Sequence, residues 1–255
     1  MEIERRNHEQ IEALNQRGGR TLSIVDLIQA GTLSVEMAAV AMRAMARGAS
    51  LLTGARPGGA GKTTLLASLL HLLPPGTRIV TVDAPSVVAE ARARPADSPL
   101  CYLAHEIGAG RWYGYIWGRA AAEFLGLIEG PRRVASCLHA DTLEELADIL
   151  CSPLLGASRE ALGRVGLFLF MHVRPGLRGV LRRVAAFHEA DGAGGHRLLF
   201  RWNERSDAFE RLGDEHESEG LGPYLEFMHR LMAEDIADAQ AVRRKAEAFY
   251  RGLPY

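Results

Sequence analysis

Along this chain the spacing of hydrophobic residues switches between two periods, and the switches mark its elements. From Glu2 to Gln16, Ile3, Ile11 and Leu14 recur among charges at helical spacing, and Gly18-Gly19 ends the segment. Ser23 with Asp26 three residues on is an N-cap with an acidic third position, which predicts a short helix to Gln29, broken by Gly31. Ser34 caps the next helix, where Val35, Met37, Ala38, Met42 and Met45 form an apolar stripe up to Gly48. Such a methionine stripe reads as core packing. The pattern then turns to short apolar runs bounded by polar breaks, as strands buried on both faces produce. These runs are Ala49 to Gly54, Arg78 to Asp83, Arg133 to Leu138, Val165 to Val173 and Leu181 to His188, with an aromatic run at Tyr113 to Trp117.

Helical patterns fill the gaps. Lys62 to Leu73 stops at Pro74-Pro75-Gly76; Ser86 to Ala93, Arg119 to Ile128, Leu143 to Leu150 under a Thr142 cap, and Ser158 to Arg164 follow. Leu100 to Gly110 has weak periodicity and yields no element. Arg197 to Trp202 and Ala208 to Leu212 form a hairpin-like pair around Asn203 to Asp207. Gly213 to Gly220 is an acidic linker. Pro223 to Tyr250 then reads as one helix with Leu225, Met228, Leu231, Met232, Ile236 and Ala239 on a single face. Strands alternating with helices predict an α/β fold on a mostly parallel sheet, organised as a helical lead-in over 1–48, a core over 49–212, and a linker with terminal helix over 213–255. No internal repeat is present.

One stretch carries chemistry. Between the run ending at Gly54 and the helix opening at Lys62 lies Arg56-Pro57-Gly58-Gly59-Ala60-Gly61, followed by Lys62-Thr63-Thr64. Strand, glycine-dense turn and helix in that order are the context of a phosphate-binding loop. The glycines let successive N–H groups curl toward an anion, and the helix start adds partial positive charge. Lys62 would reach the β- and γ-phosphates of ATP, and the Thr63 hydroxyl would ligate Mg²⁺. Arg56 stands where the usual pattern has its first glycine. Asp83 falls at the carboxyl end of its strand, the edge where parallel sheets place ligands; its plain alternative is a turn or cap residue.

Composition narrows the partners. Net charge is −1 over 255 residues, which gives no reason to expect nucleic acid or an anionic membrane surface. Lys62 and Lys245 are the only lysines, so a lysine inside the glycine loop stands out. Cys101, Cys137 and Cys151 are far apart and form no zinc-spaced pair, which reads as buried thiols in a reducing compartment. The charged first ten residues are no signal peptide, and Val165 to Val173 is far short of the roughly 20 residues that span a bilayer. A soluble, cytoplasmic protein is expected, at most peripheral at the inner face of the cell membrane.

Several pieces, in order, resemble the ATPases that power type II and type IV secretion and type IV pilus assembly. Val25 to Ser34 resembles their lead-in, RPGGAGKTTLL their phosphate loop, RIVTVDAP their acidic strand end, and CLHAD (Cys137 to Asp141), followed by Glu144 and Glu145, their histidine box. The resemblance covers Ser23 to Asp191 and leaves about twenty residues where the family has an N-terminal domain. It implies a RecA-like P-loop NTPase core, ATP and Mg²⁺ as cofactors, Asp83 as catalytic base, and His139 near the γ-phosphate with Lys62. It also implies a homo-oligomeric ring, for which a hexamer is one candidate size, docked on membrane-platform proteins of a secretion or pilus apparatus. Arg92 and Arg94 are candidates to reach a neighbouring subunit's nucleotide. Two departures weigh on activity. Asp83 is one methylene shorter than the family's glutamate. The family's Walker B Gly-Glu falls on Gly118-Arg119, so hydrolysis is expected to be weak unless Glu123 or Glu106 substitutes. A nucleotide-binding regulatory or structural subunit is therefore the alternative function; a small-molecule kinase is a third, for which no acceptor site is visible.

Overall fold

The computed structural model describes residues 2–15, 18–176, 179–212 and 219–253. Among the described residues ten strands form one sheet: β1 (Leu51–Gly54), β2 (Arg78–Thr81), β3 (Leu100–Leu103), β4 (Glu106–Ile107), β5 (Tyr115–Ile116), β6 (Arg132–Leu138), β7 (Leu167–Gly176), β8 (Gly179–Ala190), β9 (His196–Asn203) and β10 (Ala208–Arg211). Their order is β10-β9-β8-β7-β1-β6-β3-β2, with the short β4 and β5 branching beside β6. From β7 through β1, β6 and β3 to β2 all pairings are parallel, and β7 to β10 continue as antiparallel neighbours. This is the mixed α/β sheet with antiparallel C-terminal strands that the pattern predicts.

Strand alternation sends successive side chains to opposite faces, and the core divides accordingly. Leu51, Leu167 and Leu169 join one buried cluster, whereas Leu52, Phe168 and Phe170 join the other. The first face is covered by α1 (Glu2–Glu12), α2 (Ile24–Gln29), α3 (Val35–Ala46), α4 (Lys62–Leu70), α9 (Gly222–Ala233) and α10 (Ala239–Arg251). The methionine stripe lands here, with Met37, Met42 and Met45 fully buried. The second face is covered by α5 (Pro85–Ala93), α6 (Arg119–Leu125), α7 (Leu143–Leu150) and α8 (Arg159–Gly163). The predicted caps are present: Ser23 with Asp26 makes a reciprocal capping box, and Ser34, Thr142 and Ser158 each accept from the third residue on.

Four features differ from the pattern-based reading. The segment at Leu100, which yields no element from sequence, is a central strand between β6 and β2. The strand at Arg78, expected to be fully buried, is the sheet's outer parallel edge, and α1 covers it. Asn7 donates to the Thr77 carbonyl at 2.8 Å and accepts from the Ile79 N–H at 2.7 Å, while Gln10 accepts from the Thr81 N–H at 3.2 Å. Side chains of a helix thus do the work of a neighbouring strand. The terminal helix is two helices: Asp235 adopts a left-handed φ of 50° and Asp238 caps α10, accepting from the Ala241 N–H at 2.6 Å. The aromatic strand shrinks to Tyr115–Ile116, leaving Trp112 and Tyr113 69% and 52% exposed. The acidic linker lies outside the described residues apart from Glu219 and Gly220.

Candidate functional site

Residues 55–61 join β1 to α4 on the carboxyl edge of the sheet. Gly59 and Gly61 hold left-handed φ values of 78° and 99°, which the turn needs and other residues resist. Gly54 is required by space: a Cβ there would sit 2.5 Å from the Ala140 carbonyl oxygen and 2.6 Å from the Phe170 ring. No side chain caps the start of α4, so its first N–H groups face the loop's concavity. Gly58 to Thr64 line a cavity of about 690 Å³ with His105, Glu106, Tyr115, His139, Met171 and Arg182, bounded on another side by Leu14, Asn15, Gly18 and Arg20 to Leu22 of the lead-in.

Lys62 is 6% exposed and its Nζ donates to the Ala55 carbonyl at 3.0 Å, curling back over the loop. The same Nζ lies 3.4 Å from His139 Nδ1. Thr53 Oγ1 donates to the Lys62 carbonyl at 3.2 Å, tying the helix start to β1. The Thr63 hydroxyl points toward β6, 3.9 Å from Cys137 Sγ. His139 follows β6 directly, and its Nδ1 donates to the Arg56 carbonyl at 2.6 Å, which fixes one ring proton. Its Nε2 is 3.3 Å from Glu106 Oε1.

Glu106 reaches this position because β4 extends β3 alongside β6. The Ala104 N–H bonds the Ala135 carbonyl at 3.0 Å, and Ile107 pairs with Leu138. Tyr115 flanks the carboxylate: burial, then the Glu106 charge, push its hydroxyl up to about 12. Burial likewise pushes the Cys137 thiol up to about 12, so it stays neutral and donates to the His105 carbonyl at 2.8 Å. Burial pushes the His105 imidazole down to about 4.

The other residues singled out from sequence lie elsewhere. Arg56 turns away from the cavity: its N–H donates to Asp141 Oδ1 at 2.7 Å and its guanidinium bonds Glu145, with Nε–Oε2 at 3.1 Å. Neither Arg56 nor Pro57 lines the cavity. Asp83 is exposed beyond the end of β2; it is at the carboxyl edge, but β6 and β3 separate its strand from β1, and it is not in the cavity lining. The Gly118-Arg119 reading is corrected. Arg119 opens α6, is 88% exposed at its side chain and pairs with Glu123 at 2.8 Å, away from the loop. The strand beside β6 ends instead in Ala104-His105-Glu106, so an acid is present at the loop. Glu123 also meets Arg92, at 3.7 Å. Sequence brings in Glu106 only as a substitute for the lost acid, because five apolar residues, Leu100 to Ala104, carry no period and conceal the strand before it; the His-Glu that follows them is the available signal.

No family model matches the chain, and no curated protein matches it. Among solved structures it is similar to the VirB11 ATPase from the Brucella suis type IV secretion system in complex with sulphate. That likeness has 15% identity and a TM-score of 0.38, covering 84% of this chain and 58% of the other. It is also similar to the Legionella pneumophila ATPase DotB, at 14% identity and a TM-score of 0.38, covering 76% and 55%. The chain thus spans little more than half the length of either. The class is defined by the chain's own architecture: a glycine loop between β1 and α4 on the sheet order β7-β1-β6-β3-β2 is a P-loop NTPase fold. No described helix is long and apolar enough to cross a membrane.

Proposed function

We propose that the chain is an ATPase of the secretion and pilus-assembly motor type, hydrolysing ATP at the β1–α4 loop with Glu106 as the activating carboxylate. The observation that carries this reading is the convergence of Lys62, His139 and Glu106 at one cavity wall. Each follows a different strand, and they stand 3.4 Å and 3.3 Å apart in series. Lys62 neutralises phosphate charge in a site screened from water, where such a charge counts most. Glu106 orients and deprotonates the attacking water. His139, its Nδ1 proton committed to the Arg56 carbonyl, sets Nε2 3.3 Å from Glu106 Oε1; it bonds and aims the carboxylate when both ring nitrogens carry protons, since in the neutral ring the two facing atoms are both acceptors. The neutral Cys137 adds no competing charge.

Thr63 and Glu106 offer a hydroxyl and a carboxylate oxygen on the same cavity, hard donors that suit Mg²⁺, which takes few protein ligands and keeps phosphate and water for the rest. Bound there, Mg²⁺ would neutralise charge developing on the phosphates. Assembly into a ring docked on a membrane apparatus belongs to the same reading, and sedimentation with and without nucleotide tests it.

Phosphate release and nucleotide affinity, measured together, decide the chemistry. Glu106→Gln is expected to lose ~100-fold or more in release while still binding nucleotide. Lys62→Ala is expected to lose both, and Asp83→Ala neither. Turnover that survives Glu106→Gln and falls with Asp83→Ala would return the catalytic role to Asp83. Binding without release by the wild-type chain would make it a regulatory subunit.

A further inference from the structure

We propose that Arg182, on the antiparallel strand β8, contacts the terminal phosphate of the bound nucleotide and so distinguishes triphosphate from diphosphate. The inference rests on the nucleotide site proposed above and assigns it a residue from outside the loop and the parallel strands.

Three contacts locate the side chain across the loop. Its Nε and Nη2 both donate to the Gly59 carbonyl, each at 3.2 Å. Its Cδ lies 3.3 Å from where a Cβ on Gly61 would stand, beside Met171 Cε at 3.2 Å. The stem therefore passes over the glycine before Lys62, and the head reaches the loop's midpoint on the cavity side. A register shift in β7 between Phe170 and Met171 sets this up, pairing Val173 with Arg182.

The present partner is a weak one. Two N–H groups share one neutral carbonyl oxygen at the long end of hydrogen-bond distance, whereas a phosphate would offer the guanidinium an ionised acceptor with a separate oxygen for each N–H. Among the described residues no carboxylate lies within ion-pair distance of Arg182. Arg183 shows the contrast: it is buried and held by Asp207 through two bonds of 2.8 Å each, so it is committed to structure. A guanidinium on a neutral oxygen at the mouth of a phosphate cradle exchanges readily for a phosphate oxygen that comes within its fork.

The test is the split between nucleotides. Affinities for a non-hydrolysable ATP analogue and for ADP are measured by calorimetry on the whole chain, for wild type, Arg182→Gln, Arg182→Lys and Lys62→Ala. Arg182→Gln is expected to weaken the analogue ~10-fold or more, as loss of a charged hydrogen bond does, and to leave ADP within about twofold. Arg182→Lys recovers part of the loss, since charge returns without the fork. Equal losses for both nucleotides would mean that Arg182 only braces the loop, and no loss for either that it faces no ligand; each overturns the proposal. A wild-type chain that binds neither nucleotide overturns the ATPase reading itself. Binding by wild type that Lys62→Ala abolishes upholds that reading, and the two Arg182 variants then decide the role of Arg182 by themselves.

Discussion

At the scale of single residues, the site is a set of charges whose surroundings decide what each can do. Lys62 has a carbonyl and a histidine for company, Glu106 a histidine and a tyrosine, and the thiol between them is neutral at any ordinary pH. Away from the site, His71 at the end of α4 shows the cost of burial. Its Nδ1 donates to the Ala67 carbonyl at 2.9 Å, and desolvation, helped by His8 and Arg243, pushes its imidazole down to about 4. An unfolded histidine binds its proton near 6.5, so between about 6.5 and 4 the unfolded chain holds a proton that the folded one refuses. Stability is therefore expected to fall as pH drops through that window, by about 1.4 kcal/mol per unit for one such group. Buried His105 adds to the slope in the same direction. Urea titrations across the window on wild type and His71→Leu check this: the variant should lose about one proton's worth of slope.

At the scale of elements, the edge strand β2 and helix α1 form a pair. β2 would present unpaired backbone groups to solvent, an invitation to non-native pairing, and α1 answers with Asn7 and Gln10. Asn7 is buried and bonds both Thr77 and Ile79, so Asn7→Leu leaves a carbonyl and an N–H without partners. A loss of ~1–3 kcal/mol per stranded group is expected, read as a lower unfolding midpoint in denaturant. Gln10→Leu removes one bond at a longer distance and is expected to cost less.

At the scale of the whole molecule, one sheet separates structural and chemical duties. The face under α1 to α4, α9 and α10 makes a single apolar cluster running from Ile11 to Ala246, so the first and last helices stabilise the floor from which α4 projects. The carboxyl edge is left for the loop, His139 and Glu106. Ligand binding at that edge should stabilise the entire fold by linkage, by about 2.7 kcal/mol when Mg·ATP is at a hundred times its Kd. Thermal unfolding is expected to shift upward on adding Mg·ATP to wild type and to stay put for Lys62→Ala. A shift retained in that variant would place the ligand elsewhere.

Local chemistry was enough, in this chain, for whatever depends on near neighbours. Caps at Ser23, Ser34, Thr142 and Ser158, the glycine loop before Lys62, and the apolar runs of β1, β6 and β7 are all signals that act over a few residues, through hydrogen bonds and side-chain period. Which strand lies beside which is not such a signal, because adjacency is settled by long-range packing. Sequence order puts Asp83 on the next strand after the loop, yet the sheet inserts β6 and β3 between them and brings Glu106 to His139 instead. Arg182 likewise reaches the loop only because β8 folds back on β7 with a shifted register. The loop could be recognised from its own residues; the partners facing it were chosen by the tertiary fold, since contacts across a sheet have no fixed spacing along a chain.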